Sequence, residues 1–260
     1  MAVLDELVLP RGVIFGDNAE PEQSIYTTSA TANYQLGTSL IYGSGRRFRY
    51  ARAGATNLSK CRMMTSEAHE ADVTEIVQTG YAFATGKTDI TMLVVTGAVG
   101  SIVAENELVG GLFFCNKVSG VGDVYEIIAS KRRSTDTILD LKLKTGLRTA
   151  IAATTECSVK PSIYSNTIVA ATTITGCPCG VPLVDVTAEY YYWSQVGGSC
   201  PIIVDAGDTV VVGEPAGKAG TNGDAGSVGV VANDGTDAIY GLVEWIGVAD
   251  EPAIINLNLN

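Results

Sequence analysis

Leu139-Asp140-Leu141-Lys142-Leu143-Lys144 alternates an apolar residue with a charged one at every step. Successive side chains of a strand point to opposite faces, so this period of two predicts a β-strand with three leucines inside and Asp140, Lys142 and Lys144 on a solvated face. Working outward, runs rich in β-branched and aromatic residues recur at 90–96, 112–115, 124–128, 190–193, 202–204, 209–212 and 239–248, and turn residues bound nearly all of them. Glycine-rich breaks such as Ser119-Gly120-Val121-Gly122-Asp123 and Val196-Gly197-Gly198-Ser199 suit tight turns that need a positive φ. The expected fold is mainly β: an antiparallel sandwich or barrel built as a meander.

Two stretches depart from that pattern. Ser66, Glu67, Ala68, Glu70 and Ala71 favour a helix start, which predicts a helix over 66–77 without a clear apolar stripe. Residues 1–36 hold only short apolar pieces, among them Val13-Ile14-Phe15, between Gly, Pro, Ser, Thr, Asn and acids, and are read as an extended N-terminal arm. The body is then 37–260, with a subdomain break near 150–185. Between Gly217 and Gly229 a glycine stands at every third position; four triplets without an internal proline cannot form a collagen helix, and a mobile surface loop is expected.

Composition narrows the functional classes. The 260 residues include 28 acids and 17 Lys plus Arg, a net charge of −11, which argues against nucleic acid as a partner. Charged residues make up 17% of the chain, against about 25% in an ordinary soluble domain. Much of the surface is therefore uncharged, which suits a subunit that buries area against neighbours. No run of about 18 apolar residues exists to cross a membrane. Met1-Ala2-Val3-Leu4-Asp5-Glu6 carries acid where a secretory signal needs basic residues, so synthesis in a cytoplasm is expected.

Catalytic and cofactor motifs fail on spacing or partners. Gly80 to Gly86-Lys87-Thr88 has five intervening residues where a phosphate loop requires four, and Gly213 to Gly217-Lys218 has three. His69, the one histidine, sits among Glu67, Glu70 and Asp72 without a nucleophile signature, so no enzyme is expected. Cys177-Pro178-Cys179 lacks the second ligand pair of a structural zinc site; both thiols are read as filling space on one face of an extended segment, and the six cysteines as mostly free. No metal or cofactor is expected. Tyr190-Tyr191-Tyr192-Trp193 offers a flat platform for a sugar, but a central strand burying both faces explains it more simply. Arg46-Arg47-Phe48-Arg49-Tyr50-Ala51-Arg52 places four cations among aromatics in an acidic chain, a candidate surface for an acidic partner or a solvated strand face.

Several segments resemble a known family. Gln35-Leu36-Gly37-Thr38 with Arg47-Phe48-Arg49-Tyr50-Ala51-Arg52-Ala53-Gly54 is similar to the arm and first strand of structural proteins encoded beside the major capsid gene of tailed phages. The likeness continues through Ala104 to Gly111 and Val124-Tyr125-Glu126-Ile127. It is strongest in Val186-Thr187-Ala188-Glu189-Tyr190-Tyr191-Tyr192-Trp193-Ser194-Gln195, where Glu189 stands in place of a glycine, and runs on to Ile254-Ile255-Asn256-Leu257-Asn258-Leu259. The resemblance implies a capsid decoration, or cement, protein on the outer surface of the virion, with the major capsid protein and copies of itself, a trimer by preference, as partners. Arg46, Arg47, Arg49, Arg52, Val13, Ile14 and Phe15 are the candidate contact residues, and removing 1–36 is expected to abolish capsid binding without unfolding the body. The alternatives are a carbohydrate-binding adhesion module using Tyr190 to Trp193 and the glycine loop, or a tail-associated structural protein.

Overall fold

The computed structural model describes residues 13–16, 21–68, 73–94, 105–132, 137–173, 175–219, 223–231 and 238–259. The chain divides into two compact units: a main unit of Leu9–Ala68 with Ile163–Asn260, and an insert unit containing His69–Ser162. The sequence reading has one break, near 150–185; the chain crosses between units twice, at 68–69 and at 162–163. The described residues form strands and no α-helix, in agreement with the mainly β expectation.

In the main unit the strands are β1 (Val13–Phe15), β2 (Ser39–Ile41), β3 (Arg47–Arg52), β4 (Met64–Thr65), β11 (Ile168–Val169), β12 (Pro178–Pro182), β13 (Tyr191–Ile203), β14 (Pro215–Lys218), β15 (Val228–Val230), β16 (Ile239–Trp245) and β17 (Pro252–Asn258). They form one sheet in the order β1-β2-β3-β13-β17-β16-β14-β15, with β4, β11 and β12 attached alongside. A bridge from Val204, just beyond β13, to Val228 on β15 turns the far edge back toward β13. The sheet is therefore nearly closed, like a barrel, and leaves little free edge there. Met63, Cys200, Ile202, Val204, Val228, Tyr240, Val243, Ile255 and Leu257 fill one core.

β13 organises the rest of this unit because both of its faces are apolar. Tyr192 packs with Ala51, Leu58, Met64 and Val186 on one side. Trp193 packs with Ile25, Tyr34, Leu40, Phe48 and Tyr50 on the other, its ring 5.0 Å from that of Tyr50. The two-sided burial read from the Tyr190 to Trp193 cluster is thus what the strand adopts. The segments 190–193 and 202–204 meet in a single 13-residue strand. Gly197-Gly198 lies inside it, paired with Asn258 and Leu257 rather than forming the expected turn, and the register against β3 shifts just before it, between Gln195 and Gly197. Gly198 has φ +76° and a Cβ there would come within 2.9 Å of the Gly45 carbonyl oxygen, so this position needs glycine; at Gly197 a Cβ would meet only the movable end of the Arg47 side chain.

Of the arm expected over 1–36, residues 13–16 and 21–36 are described: 13–15 are a strand, whereas 21–36 run through bends and turns instead of extended chain, and both pieces are attached to the body. β1 pairs with β2 in parallel, whereas the other pairs of named strands among the described residues are antiparallel. Gln23, Ile25 and Tyr34 are buried, and Ser29 bridges Tyr191. These residues complete the aromatic core of the main unit.

The insert unit is a six-stranded sheet in the order β5 (Ile76–Val77), β10 (Glu156–Lys160), β7 (Leu112–Lys117), β8 (Val124–Arg132), β9 (Ile138–Leu143), β6 (Asp89–Leu93). Its core gathers Ile90, Met92, Phe113, Tyr125, Ile127 and the leucines 139, 141 and 143. The period-two strand is β9, as expected, yet Asp140 on its polar face is buried. β9 lies between two neighbours, and Thr91, directly opposite on β6, donates its hydroxyl to Asp140 at 2.6 Å. The glycine turn at 119–123 connects β7 to β8, with Gly120 and Gly122 at positive φ.

Four further expectations are corrected. The described part of 66–77 has no helix: 66–68 is irregular and β5 occupies 76–77. Its sequence has no apolar stripe to pack, so helix propensity alone does not decide it. Residues 209–212 form no strand, only Val210 being buried. Gly217 and Gly229 face each other on β14 and β15, so the ends of the stretch expected to be loop are strand, while residues 220–222 between them lie outside the described residues. Cys177 and Cys179 do not share an environment; a bulge in the pairing of β12 with β4 leaves Cys177 exposed and Cys179 buried.

Candidate interaction site

β3 lies beside β13, and its alternation buries Phe48 and Tyr50 while Arg47 and Arg49 remain partly exposed. Each arginine has its own acceptor. Arg46 lies over the Phe48 ring, 5.1 Å from its centroid, and donates from Nη2 to Gln195 Oε1 at 2.9 Å; its Nε is buried without an acceptor among the described residues. Arg47 donates to Asn258 Oδ1 at 3.1 Å, and Arg49 to the Gly37 carbonyl at 3.1 Å. Arg52 is ion-paired with Glu189 and donates to Asn166 Oδ1 at 3.1 Å. Arg46, Arg47 and Arg52 therefore fasten β3 and the residue before it to segments distant in sequence, and Arg49 fastens it to the turn before β2.

Val13, Ile14 and Phe15 form β1, so a single strand, β2, separates them from the arginine strand. Val13 is exposed, Ile14 packs against the Trp193 cluster, and Phe15 pairs in register with Ile41. The two stretches singled out in the sequence thus lie on one side of one sheet path. His69 lies outside the described residues.

Two features escape the sequence reading. A shallow cleft of about 620 Å³ opens over the main unit, lined by Arg47, Ser199, Leu242, Glu244, Asn256 and Asn258 among others. Beside it, β16 presents its outer face: Leu242 lies opposite Asn256 and Trp245 opposite Ile254. Ile239, Leu242, Trp245, Ile246 and Val248 are all exposed, Trp245 by 70%. Residues 211–213 run next to this strand through the bond from Gly213 N to Val243 O and add exposed Val211 and Val212. The signal was present in the sequence as an apolar run at 239–248, but a run apolar at nearly every position does not say which face stays uncovered.

Burial raises the phenol of Tyr50 well above its ordinary value, and burial likewise raises that of Tyr192, so both are neutral hydrogen-bonding groups. Among the described residues no three His, Cys, Asp or Glu side chains are grouped to hold a metal ion. What the surface offers is apolar area from Trp245 and its neighbours, with amides, Arg47 and Glu244 at its margin. That is the make-up of a protein contact, in which a large aromatic residue anchors and polar groups form the rim. No family model, curated protein or solved structure matches this chain.

Proposed function

We propose that this chain is a structural virion protein that decorates the outer surface of a tailed-phage capsid and cements neighbouring major capsid subunits. The observation that carries the reading is the run of exposed large apolar side chains on and just after β16, with Trp245 ending the strand, on a chain poor in charge. So many large apolar side chains left in water along one strand suit a surface that a partner covers. The resemblance of Gln35–Thr38, Arg47–Gly54 and Val186–Gln195 to cement proteins suggests the identity of the partner. A shell repeats the same contact many times, so each copy needs only a modest apolar anchor, and self-association around a symmetry axis adds its contacts to the same total.

The test is binding of the purified chain and its Trp245→Ala variant to undecorated capsids from the phage that encodes it. Binding by the parent, weakened about tenfold or more in the variant with unchanged circular dichroism, supports the reading; a tenfold loss corresponds to about 1.4 kcal/mol. Failure of the parent to bind at any concentration reached would remove it.

A further inference from the structure

β7 and β10 place Cys115 and Cys157 directly opposite each other in the insert unit. The backbone of Cys115 is fully used on its other side: its N–H donates to the Asp123 carbonyl at 3.2 Å, and its C=O accepts from Gly122 N at 3.1 Å. Toward β10 the two cysteines therefore form a non-hydrogen-bonded pair, the kind whose Cα atoms approach to about 4.5 Å with side chains closest. Disulfides need Cα separations of roughly 4.4–6.8 Å. Both side chains are buried, and both are free thiols.

We propose that Cys115 and Cys157 form a redox-closable pair, a dithiol under reducing conditions and a cross-strand disulfide after exchange with a small disulfide such as oxidised glutathione. The neighbouring Cys157 thiol holds the Cys115 thiol below its ordinary value, and Cys115, with burial, holds Cys157 above its own. Cys115 Sγ, which lies under the Gly120 turn, makes the first attack. Its thiolate attacks one sulfur of glutathione disulfide, that S–S bond breaks, and one glutathione leaves as thiolate and takes up a proton. Cys157 then loses its proton to solvent, attacks Cys115 Sγ in the mixed disulfide and expels the second glutathione. Two protein thiols are oxidised, and one disulfide is reduced to two thiols. The glycine turn gives access: a Cβ at Gly120 would lie 3.6 Å from Cys115 Sγ, so this turn covers the sulfur and its opening exposes it.

Closure joins two adjacent strands across an enclosed loop of about forty residues, which restricts the unfolded insert unit. A compartment rich in reduced glutathione keeps the pair open, and an oxidising medium closes it.

The experiment uses the full chain with Cys61→Ser and Cys177→Ser, which removes the two thiols that are not buried. The protein is incubated with oxidised glutathione and analysed by intact mass and non-reducing peptide mapping. The expected result is loss of two hydrogens, a Cys115–Cys157 cross-linked peptide, and an unfolding midpoint raised by about 5 °C or more. Adding Cys157→Ser should instead trap one glutathione on Cys115. Retention of all thiols under conditions that glutathionylate Cys177 in the parent overturns the proposal. So does a lasting glutathione adduct on Cys115 while Cys157 is present.

Discussion

The indole Nε1 of Trp193 donates a hydrogen bond to the backbone carbonyl of Gln23 at 2.8 Å, across 170 residues of sequence. The same Gln23 accepts from the Tyr50 hydroxyl at 2.6 Å through its Oε1, and its Nε2 donates to the carbonyls of Thr27 and Tyr191. Its Oε1 also accepts from Asn33 Nδ2 at 3.2 Å, so one amide side chain serves four groups at the edge of an aromatic core. The described segment before β2 is consequently part of the folded main unit.

Replacing Gln23 with Ala leaves the Tyr50 hydroxyl buried without this acceptor. A buried polar group left unpaired costs about 1–3 kcal/mol, so chemical denaturation should show Gln23→Ala less stable by that amount. Trp193→Ala, which removes the centre of the cluster, should cost about 3–5 kcal/mol. Deletion of 1–36, expected from the sequence to spare the body, should lower the unfolding midpoint of the main unit, because it takes away Gln23, Ile25 and Tyr34 together. A deletion mutant that unfolds at the parent temperature would show that these contacts contribute little.

Glu189 adopts φ +67°, a left-handed conformation that side chains other than glycine rarely take. It is held there by its ion pair with Arg52, half exposed on the Glu189 side, and exposed pairs contribute only about 0–1 kcal/mol. Glycine removes backbone strain of about 1 kcal/mol at such a position. Glu189→Gly should therefore be at least as stable as the parent and about 1 kcal/mol more stable than Glu189→Ala, which keeps the strain and loses the pair. Thermal unfolding of the three proteins decides it.

Asp205 sits in the turn after β13, accepting from Asp224 N at 2.6 Å, Gly207 N at 3.2 Å and the Ser227 hydroxyl at 3.3 Å. The donated Asp224 N–H, aided by the Gly207 N–H and the Ser227 hydroxyl and opposed by burial, holds its carboxyl below the ordinary value. A folded-state pKa under the unfolded value of about 3.9 contributes stability that is complete above that value and is lost as pH falls toward the folded one. The gap in unfolding midpoint between the parent and Asp205→Asn should thus be widest near neutrality and narrow below about pH 4. A gap that stays constant from pH 7 to pH 3 would contradict this.

Much of the fold was legible where local pattern and burial agree. Leu139, Leu141 and Leu143 announce β9, and Tyr190 to Trp193 announce a strand buried on both sides. The pattern misled where pairing is distant. Gly197-Gly198 looks like a turn until Arg47 is placed against it, and Gly217 and Gly229 look like loop residues until β14 and β15 are paired. The arginines of β3 were visible as a basic strand, but their acceptors Gln195, Asn258 and Glu189 lie more than 130 residues away, so their fastening role was not. Trp245 belonged to a recognised apolar run, and only the register with Ile254 shows that it faces outward.

The central claim is that this surface meets a capsid. Its most direct test is a titration of undecorated capsids with the purified full chain, followed by sedimentation and quantitation of both proteins in the pellet. The account predicts saturable binding that plateaus at a fixed ratio of this chain to major capsid subunits and is lost in Trp245→Ala. No pelleting with capsids, or pelleting that rises without a plateau and ignores Trp245, would contradict it.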